Sequence, residues 1–299
     1  MSVETLHRLF NREAWMMSLR LSAVAAICLS APALAQSGPA AAPMPSPEEV
    51  ANKDTITLGL GGAFVPDYEG SNDYRLLPVG AVRGKIHGIA FMSRGSYLYV
   101  DLMPSQDKFS FKAGPIIGAR LNSRRNIKDE VVKLLPVLKR AFEVGGFAGV
   151  SYSGLTNPYD SLDFRLDVLH DVGDAHKSTV ISPNIDFSTP LSMRTYASLT
   201  LGAEFVSNKF ADYYYSITPA ESLATGGQLP AFNAGGGMKN WKAGLLLNQS
   251  ITGNLLHGIS IFSYGEYSRL VGDFKRSPIV AQRGSASQWT GALGMAYTW

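Results

Sequence analysis

The chain of 299 residues has few cysteines, few charged residues and no basic stripe, and these absences exclude several common classes of protein. Its single cysteine, Cys28, excludes a disulfide framework and a cysteine-based metal cluster. Charged residues make up only 17% of the chain, whereas about 25% is usual for soluble domains. The formal net charge is +3, and no basic stripe with interleaved aromatic residues is present, which excludes a nucleic-acid-binding footprint. The apolar fraction of 45% excludes a wholly disordered chain.

Beyond residue 35 the sequence also lacks any run of about 18 apolar residues, the length that a membrane-spanning helix needs. The first 35 residues contain a shorter apolar run, residues 21–32, which follows Arg20 and precedes Ala33-Leu34-Ala35. This order is typical of a cleaved signal peptide, with an uncleaved membrane anchor as the alternative. We therefore expect a signal peptide over residues 1–35, a disordered periplasmic tail rich in Pro and Ala over residues 36–53, and one domain over residues 54–299.

What the domain has in abundance is alternation with a period of two. Apolar residues at positions 162, 164, 166 and 168 alternate with Asp163, Arg165 and Asp167. The same pattern recurs in residues 109–121, 142–150, 181–187 and 199–205. Such alternation places apolar and polar side chains on opposite faces of a strand. It fits both a periplasmic β-sandwich and a transmembrane β-barrel with an apolar outer face and a polar lumen.

The C-terminal end favours the barrel. The last residue is Trp299, and Tyr297 shares its face of the final strand. A terminal aromatic residue with Tyr two positions earlier resembles the C-terminal signal of bacterial outer-membrane barrels, which the barrel-assembly machinery reads. Because a bilayer offers the backbone no hydrogen bonds, a sheet in the membrane must close on itself. We therefore predict an all-β, antiparallel barrel in the outer membrane of a Gram-negative bacterium, in contact with lipid and lipopolysaccharide.

The number of strands follows from a parity argument. A first pass finds eleven strands, but bacterial single-chain barrels have even numbers and both termini in the periplasm. The segment 86–102 is long and is interrupted by Arg94-Gly95-Ser96. Dividing it there gives twelve strands, which we predict, with ten as the alternative. Counting back from Trp299 places the long loops 121–139, 207–237 and 271–287 outside and the short turns inside. The division places loop 65–74 outside as well.

Three loop motifs carry a resemblance to a known family. Together they resemble the MipA/OmpV family of outer-membrane proteins, over nearly all of residues 54–299. The motif residues are Pro66, Asp67, Tyr68, Glu69, Gly70, Ser71, Asp73, Tyr74 and Arg75 in the first loop, Leu229 and Pro230 in the second, and Ser277, Pro278, Ile279, Val280, Arg283 and Gly284 in the third.

The resemblance implies a non-enzymatic barrel. One member of the family is a scaffold between a murein-degrading lytic transglycosylase and a murein-synthesising penicillin-binding protein, and others are immunogenic surface proteins. We therefore expect a scaffold for murein-remodelling machinery. A small-solute channel and a surface adhesin are the alternatives.

The polar face carries nearly balanced charge, which favours a cross-linked lumen over an ion-selective pore. The lumen charges singled out are Asp163, Arg165, Asp167, Glu204 and Glu266. Four scattered histidines follow the expected signal peptide, and no G-x-S-x-G, H-E-x-x-H or P-loop motif is present. We accordingly expect no catalytic site, no metal site and no cofactor.

Three outer segments have two interpretations each. The segment 67–75 is expected to form a hydrogen-bonded turn around Gly70, with a recognition loop as the alternative. The basic loop 121–139, with apolar residues at helical spacing, is expected to fold over the mouth or to meet lipopolysaccharide phosphates. Tyr213, Tyr214 and Tyr215 are expected to be aromatic residues at a strand end or an exposed binding surface.

Overall fold

The computed structural model describes residues 53–104 and 108–299. The predicted signal peptide and all but the last residue of the predicted tail lie outside the described residues. No helix among the described residues is both long and apolar enough to span a membrane.

Twelve strands form one closed antiparallel barrel. Each strand pairs with its neighbours in the chain, and β1 pairs with β12 to close the sheet, with Leu60 opposite Met295. The strands are β1 (Thr55–Pro66), β2 (Tyr74–Ile86), β3 (Ile89–Arg94), β4 (Tyr97–Asp101), β5 (Phe109–Arg120), β6 (Ala141–Ser153), β7 (Ser161–Asp171), β8 (Thr179–Pro190), β9 (Thr195–Val206), β10 (Gly237–Ser250), β11 (Gly258–Leu270) and β12 (Ser287–Thr298). The predicted barrel and its twelve strands are confirmed, including the division at Gly95-Ser96.

The alternation of the sequence becomes the two faces of the wall. Side chains such as Leu58, Phe164 and Leu293 point outward and are exposed, because no protein covers this face. Their neighbours in sequence, such as Asp163 and Asp167, point into the lumen. Aromatic side chains gather where the wall ends. At the end with the long loops, the Tyr267 ring contacts Trp241 edge to face and Trp289 at a tilt, with ring centroids 5.4 Å and 5.0 Å apart. This distribution is typical of a wall that meets lipid between two aromatic girdles.

The hairpin formed by β3 and β4 is much shorter than the rest of the wall. Ten strands have 11 to 14 residues, whereas β3 has 6 and β4 has 5. At a rise of about 3.3 Å per residue, the β3–β4 hairpin therefore reaches only about half as far along the wall as its neighbours.

The long connections lie at one end of the barrel, which we call the outer mouth. They carry a short 3-10 helix (Val132–Leu134), α1 (Asn208–Tyr215), α2 (Pro219–Ala224), α3 (Gly272–Arg276) and α4 (Pro278–Ala281). Short turns join the strands at the opposite end, which is the periplasmic one by the rule that both termini of such barrels lie there.

Candidate functional site

An apolar core fills the outer mouth, and we call it the plug. It is built from the β1–β2, β5–β6, β9–β10 and β11–β12 loops and from the outer ends of β8, β9 and β11. Its buried residues are Tyr68, Ile127, Val131, Val132, Leu135, Val180, Val206, Phe210, Ala211, Tyr214, Tyr215, Ile217, Leu229, Ala234, Leu270, Phe274, Ile279 and Val280. The main apolar core of this barrel therefore lies at its outer end.

Helix α1 supplies the largest side chains of the plug. Phe210, Tyr214 and Tyr215 are fully buried, and Tyr215 meets Phe274 edge to face with ring centroids 5.0 Å apart. Burial raises the pKa of both Tyr214 and Tyr215, as expected where water is excluded. Both interpretations of the three tyrosines were wrong: they lie on a helix, and two of them form the interior of the plug.

The first family motif forms the turn between β1 and β2. Gly70 has φ +98°, a conformation that other residues rarely adopt, and its N–H donates to Gln288 Oε1 at 3.1 Å. The Tyr68 side chain is buried, and its hydroxyl donates to the Ile279 carbonyl at 3.1 Å. Asp67 accepts the N–H of Lys128 at 2.9 Å, which ties this turn to the β5–β6 loop.

The third family motif packs directly against the first, although more than 200 residues separate them. Ser71 and Gly284 form a β-bridge, and a Cβ on Gly70 would lie 2.5 Å from Val280 Cγ2. Arg283 pairs with Asp129 of the β5–β6 loop at 2.9 Å. Leu229 of the second motif is fully buried in the same core. The motif residues thus converge on one structural unit.

The β5–β6 loop crosses the mouth and inserts its apolar residues into the plug. Ile127 and Val131 are buried, whereas Leu134 is exposed. Only the 3-10 helix Val132–Leu134 forms, where the apolar spacing allowed a longer amphipathic helix. Arg124 is buried with φ +51°, and its guanidinium donates to the Tyr214 carbonyl at 2.5 Å.

Below the plug, charged side chains cross the lumen in pairs. Arg165 binds Asp167 at 2.7 Å and Asp186 at 2.6 Å, and Arg94 binds Asp186 from the opposite side at 3.2 Å. Asp163 pairs with Lys112 at 3.5 Å. Each of these six charged residues therefore has a partner of opposite charge in the lumen. Glu266 joins none of these ion pairs among the described residues, and it accepts the Tyr264 hydroxyl at 2.7 Å.

A second network joins the lumen to the plug. Glu143 is buried and accepts from Arg120 at 3.1 Å and from Tyr97, and His176 lies 2.9 Å from it. Arg120 also reaches Glu204 at 3.6 Å.

The cation that completes this network was missed from the sequence. Lys239 is 1% exposed and pairs with both Glu69 and Glu204. Strict alternation would place it outward beside Trp241, but the β9–β10 register shifts between Met238 and Asn240. Such a bulge turns one extra residue to the other face. No signal in the sequence predicted this bulge.

The described histidines are His87, His170, His176 and His257. Within residues 53–104 and 108–299, no cluster of three or more His, Cys, Asp or Glu side chains is arranged to hold a metal ion. The buried His176 faces Ser178 at 2.8 Å and Glu143, but these groups lie under the plug and form part of its support.

Comparison with known proteins gives the family. The family model described as MltA-interacting protein MipA matches residues 58–299. No curated protein has significant sequence similarity to the chain.

Several solved structures resemble it in architecture. An outer membrane channel from Pseudomonas putida F1 has 9% identity and a TM-score of 0.39, covering 88% of this chain and 100% of that one. The CymD monoaromatic hydrocarbon channel has 10% identity and a TM-score of 0.37, covering 84% of this chain and 90% of that one. OmpT of Vibrio cholerae has 8% identity and a TM-score of 0.34, covering 83% and 97%. These values are too low to indicate a shared activity.

A closed antiparallel barrel with an apolar outer surface and a polar lumen defines a bacterial outer-membrane protein. The match over residues 58–299 covers most of the chain, and the chain belongs to the MltA-interacting protein MipA family. The family predicted from the loop motifs is thereby confirmed.

Proposed function

We propose that this protein is a non-enzymatic anchor that holds a murein-remodelling partner at the inner surface of the outer membrane. The family is named for a partner, MltA, which the family resemblance identifies as a lytic transglycosylase. A penicillin-binding protein is the second partner that the resemblance implies. Tethering a partner to the barrel would raise its local concentration near murein without any chemistry by the barrel itself.

The observation that carries this proposal is a patch on the periplasmic end. Three neighbouring turns each expose one aliphatic side chain: Leu155 is 53% exposed, Leu191 is 63% exposed and Ile251 is 51% exposed. Burying one such side chain contributes about 1.5–3 kcal/mol, so the three together offer a partner an apolar contact of about 5–9 kcal/mol before the cost of association is subtracted. We call these residues the periplasmic patch.

Hydrogen bonds make the three turns one surface. The side chain of Asn157, in the first turn, donates to Thr189 Oγ1 at 2.9 Å. Thr189 lies at the end of β8, directly before the second turn. Leu255 of the third turn donates through its N–H to the Met193 carbonyl at 3.1 Å. A preorganised surface loses little conformational entropy when a partner binds, which favours docking here.

Asp160 fixes the first of these turns. It accepts the N–H groups of Leu155 and Thr156, each at 2.7 Å, and the Thr156 hydroxyl at 2.5 Å. Burial opposes its ionisation, but these hydrogen bonds prevail and lower the pKa of Asp160 below its ordinary value.

The test is in-cell crosslinking of the tagged full-length protein, followed by identification of the captured partners. We expect a lytic transglycosylase or a murein synthase with the wild type, and loss of that partner when Leu155, Leu191 and Ile251 are all replaced by Ser. The control is Leu223→Ser, because Leu223 is a leucine of an outer loop that is still more exposed, at 81%. Capture of lipopolysaccharide and assembly factors alone would contradict the proposal.

The channel alternative predicts ionic conductance, which the plug and the paired lumen charges oppose. We expect no single-channel steps in a planar bilayer. Clear steps whose ion selectivity changes on charge reversal at Asp163 or Asp167 would favour the channel. The adhesin alternative needs the β9–β10 loop as a free surface, yet this loop contributes Tyr215 and Leu229 to the core of the plug.

A further inference from the structure

In the described part of the chain, the wall lacks strand pairing along part of β2, beside the short hairpin. β2 pairs with β1 along its full length, but it pairs with β3 only from Arg83 to Ile86. Among the described residues, positions 74–81 of β2 therefore have a strand partner on one side only. The next long strand around the wall is β5, three strand spacings away, or about 14 Å. We call this gap the window.

Each border of the window is defined by contacts. Its floor is the tip of the β3–β4 hairpin, where the Ser96 hydroxyl donates to the Ala119 carbonyl of β5 at 2.6 Å. Its top is the start of the β5–β6 loop, which spans from β5 to the β1–β2 turn. There Asn122 Oδ1 accepts the Glu69 N–H at 3.2 Å, and Lys128 Nζ donates to the Tyr74 carbonyl at 2.6 Å.

The backbone of β2 is adapted to an open edge. Backbone groups of every second residue point toward the same neighbouring strand. Ser93 Oγ bonds both the N–H and the carbonyl of Val82, and Lys128 caps the carbonyl of Tyr74, so the even-numbered residues face the window. Pro78, midway between them, has no N–H to leave unpaired. Proline inside a strand is typical of an edge.

The lumen wall next to the window is apolar, which is unusual for a barrel interior. Leu77, Val79 and Ala81 of β2 point inward, opposite Ala63, Gly61 and Gly59 of β1. Further round, β12 presents Ala292, Gly294 and Ala296 on its inner face. Most of the charged pairs lie on the other side of the lumen, on β5 to β10, and Arg94 of β3 joins them through Asp186. The ring of Phe262 on β11 covers Gly59 and Gly294, where a Cβ would lie 3.1 Å and 2.5 Å from it. Leu77, Val79 and Ala81 remain as the apolar surface beside the window. Water alone would leave this surface unfavourably solvated, whereas hydrocarbon would not.

Cationic side chains lie above this apolar surface. Arg75, Arg125 and Lys128 stand at the top of the window, and Arg75 Nη1 donates to the Arg125 carbonyl at 3.4 Å. The Nε of Arg75 is buried and has no hydrogen-bond partner among the described residues. A site with cations above and hydrocarbon-compatible walls below fits an amphiphile with an anionic head.

We propose that the window is a lateral opening through which a single-chain anionic amphiphile of the fatty-acid class enters the lumen from the outer leaflet. Its hydrocarbon chain lies along Leu77, Val79 and Ala81, and its head group lies at Arg75 and Arg125. A gap of about 14 Å admits one such chain but is narrow for a lipid anchor with many chains. Because the plug closes the outer mouth, this route is separate from the axial one.

The test uses single cysteines in a Cys28→Ser background, since Cys28 is the only cysteine of the chain. A bimane fluorophore is attached at Val79→Cys, at Leu246→Cys or at Leu245→Cys. Val79 lies on the lumen side at the window, Leu246 lies on the lumen side of β10, and Leu245 faces outward. Each full-length variant is placed in phosphatidylcholine vesicles, and its folding is checked by migration with and without boiling.

The quencher is stearate with a nitroxide on its chain. We expect quenching at Val79 to approach that at Leu245, and Leu246 to stay unquenched. Arg125→Glu is expected to raise the stearate concentration for half-quenching at Val79 by about two- to fivefold, the effect of one exposed charge contact. Arg125→Glu should leave quenching at Leu245 unchanged. Quenching at Val79 by the uncharged methyl ester of the same stearate should not respond to Arg125→Glu.

Two results would overturn the proposal. If Val79 is as protected as Leu246, hydrocarbon does not pass the wall and the window is closed. If Arg125→Glu leaves half-quenching by stearate at Val79 unchanged, the opening does not select an anionic head.

Discussion

Replacement of Gly70 by Ala should loosen the plug and leave the barrel intact. The substitution has two costs. A side chain at φ +98° strains the backbone by about 1–2 kcal/mol. The new Cβ would also lie 2.5 Å from Val280 Cγ2, and such overpacking costs about 1–3 kcal/mol. The sum is about 2–5 kcal/mol of plug stability. Because Gly70 lies outside every strand, the wall should keep its stability.

Amide hydrogen exchange in detergent micelles measures this effect segment by segment. Each 1.4 kcal/mol corresponds to a tenfold change in exchange, so the plug segments should exchange at least about thirtyfold faster while the strands do not change. Gly272→Ala is the matched control: Gly272 has φ +55° in another plug loop, and a Cβ there would meet nothing within 4 Å. It tests the backbone strain without the clash.

A double-mutant cycle isolates the contact with Val280. In Gly70→Ala/Val280→Ala the clashing methyl group is removed, so the double variant should be less destabilised than the sum of the two single variants. The reasoning is refuted if Gly70→Ala exchanges no faster than Gly272→Ala, or if the two substitutions are additive.

Three further substitutions probe the network, the periplasmic turn and the C-terminus. Lys239→Met should destabilise the barrel by about 3–5 kcal/mol in a denaturant titration, because it removes the buried cation that Glu69 and Glu204 share. Lys242→Met, whose ammonium is 4.0 Å from Glu204, should cost less than about 1 kcal/mol, and equal costs would refute the assignment. Folding lowers the pKa of Asp160, so its ionised carboxylate stabilises the folded turn. This stabilisation is fully present above the pKa of Asp160 in the unfolded chain, about 3.9, and it is lost as the pH falls through the lower pKa of the folded protein. Exchange in turn 154–160 should therefore rise only below about pH 4, whereas Asp160→Asn should raise it at neutral pH; a wild-type change near pH 6 would contradict this. Deletion of Trp299, whose N–H bonds the Ile56 carbonyl at 2.9 Å, should impair assembly, and normal insertion would argue against a terminal signal.

The barrel was predictable because its physical determinants are local. A strand that separates lipid from lumen must alternate, and this alternation is visible in residues 162–168 without knowledge of any partner. The division of residues 86–102 followed from parity together with one Gly-Ser pair. Family membership was predictable too, because its motifs are contiguous pieces of sequence.

The plug was not predictable, since its stability comes from contacts between loops distant in the chain. The bond from Tyr68 to Ile279 spans 211 residues. Nothing in the run Tyr213-Tyr214-Tyr215 distinguishes a buried helix from an aromatic girdle. Lys239 was missed for another reason: one bulged residue reverses the alternation, and a pattern of period two does not reveal where it slips.

The shared core of the outer loops restricts how the surface of this protein can change. Surface loops commonly tolerate insertions and sequence change because their residues contact little else. Here four loops share one core, so a change in one must be accommodated by the other three. One stretch that contacts little is Leu223 to Gly227, where Leu223 is 81% exposed and a Cβ on Gly226 or Gly227 would meet nothing within 4 Å. Antigenic variation and engineered epitope tags should therefore be accepted more readily at this tip than at loop residues buried in the plug.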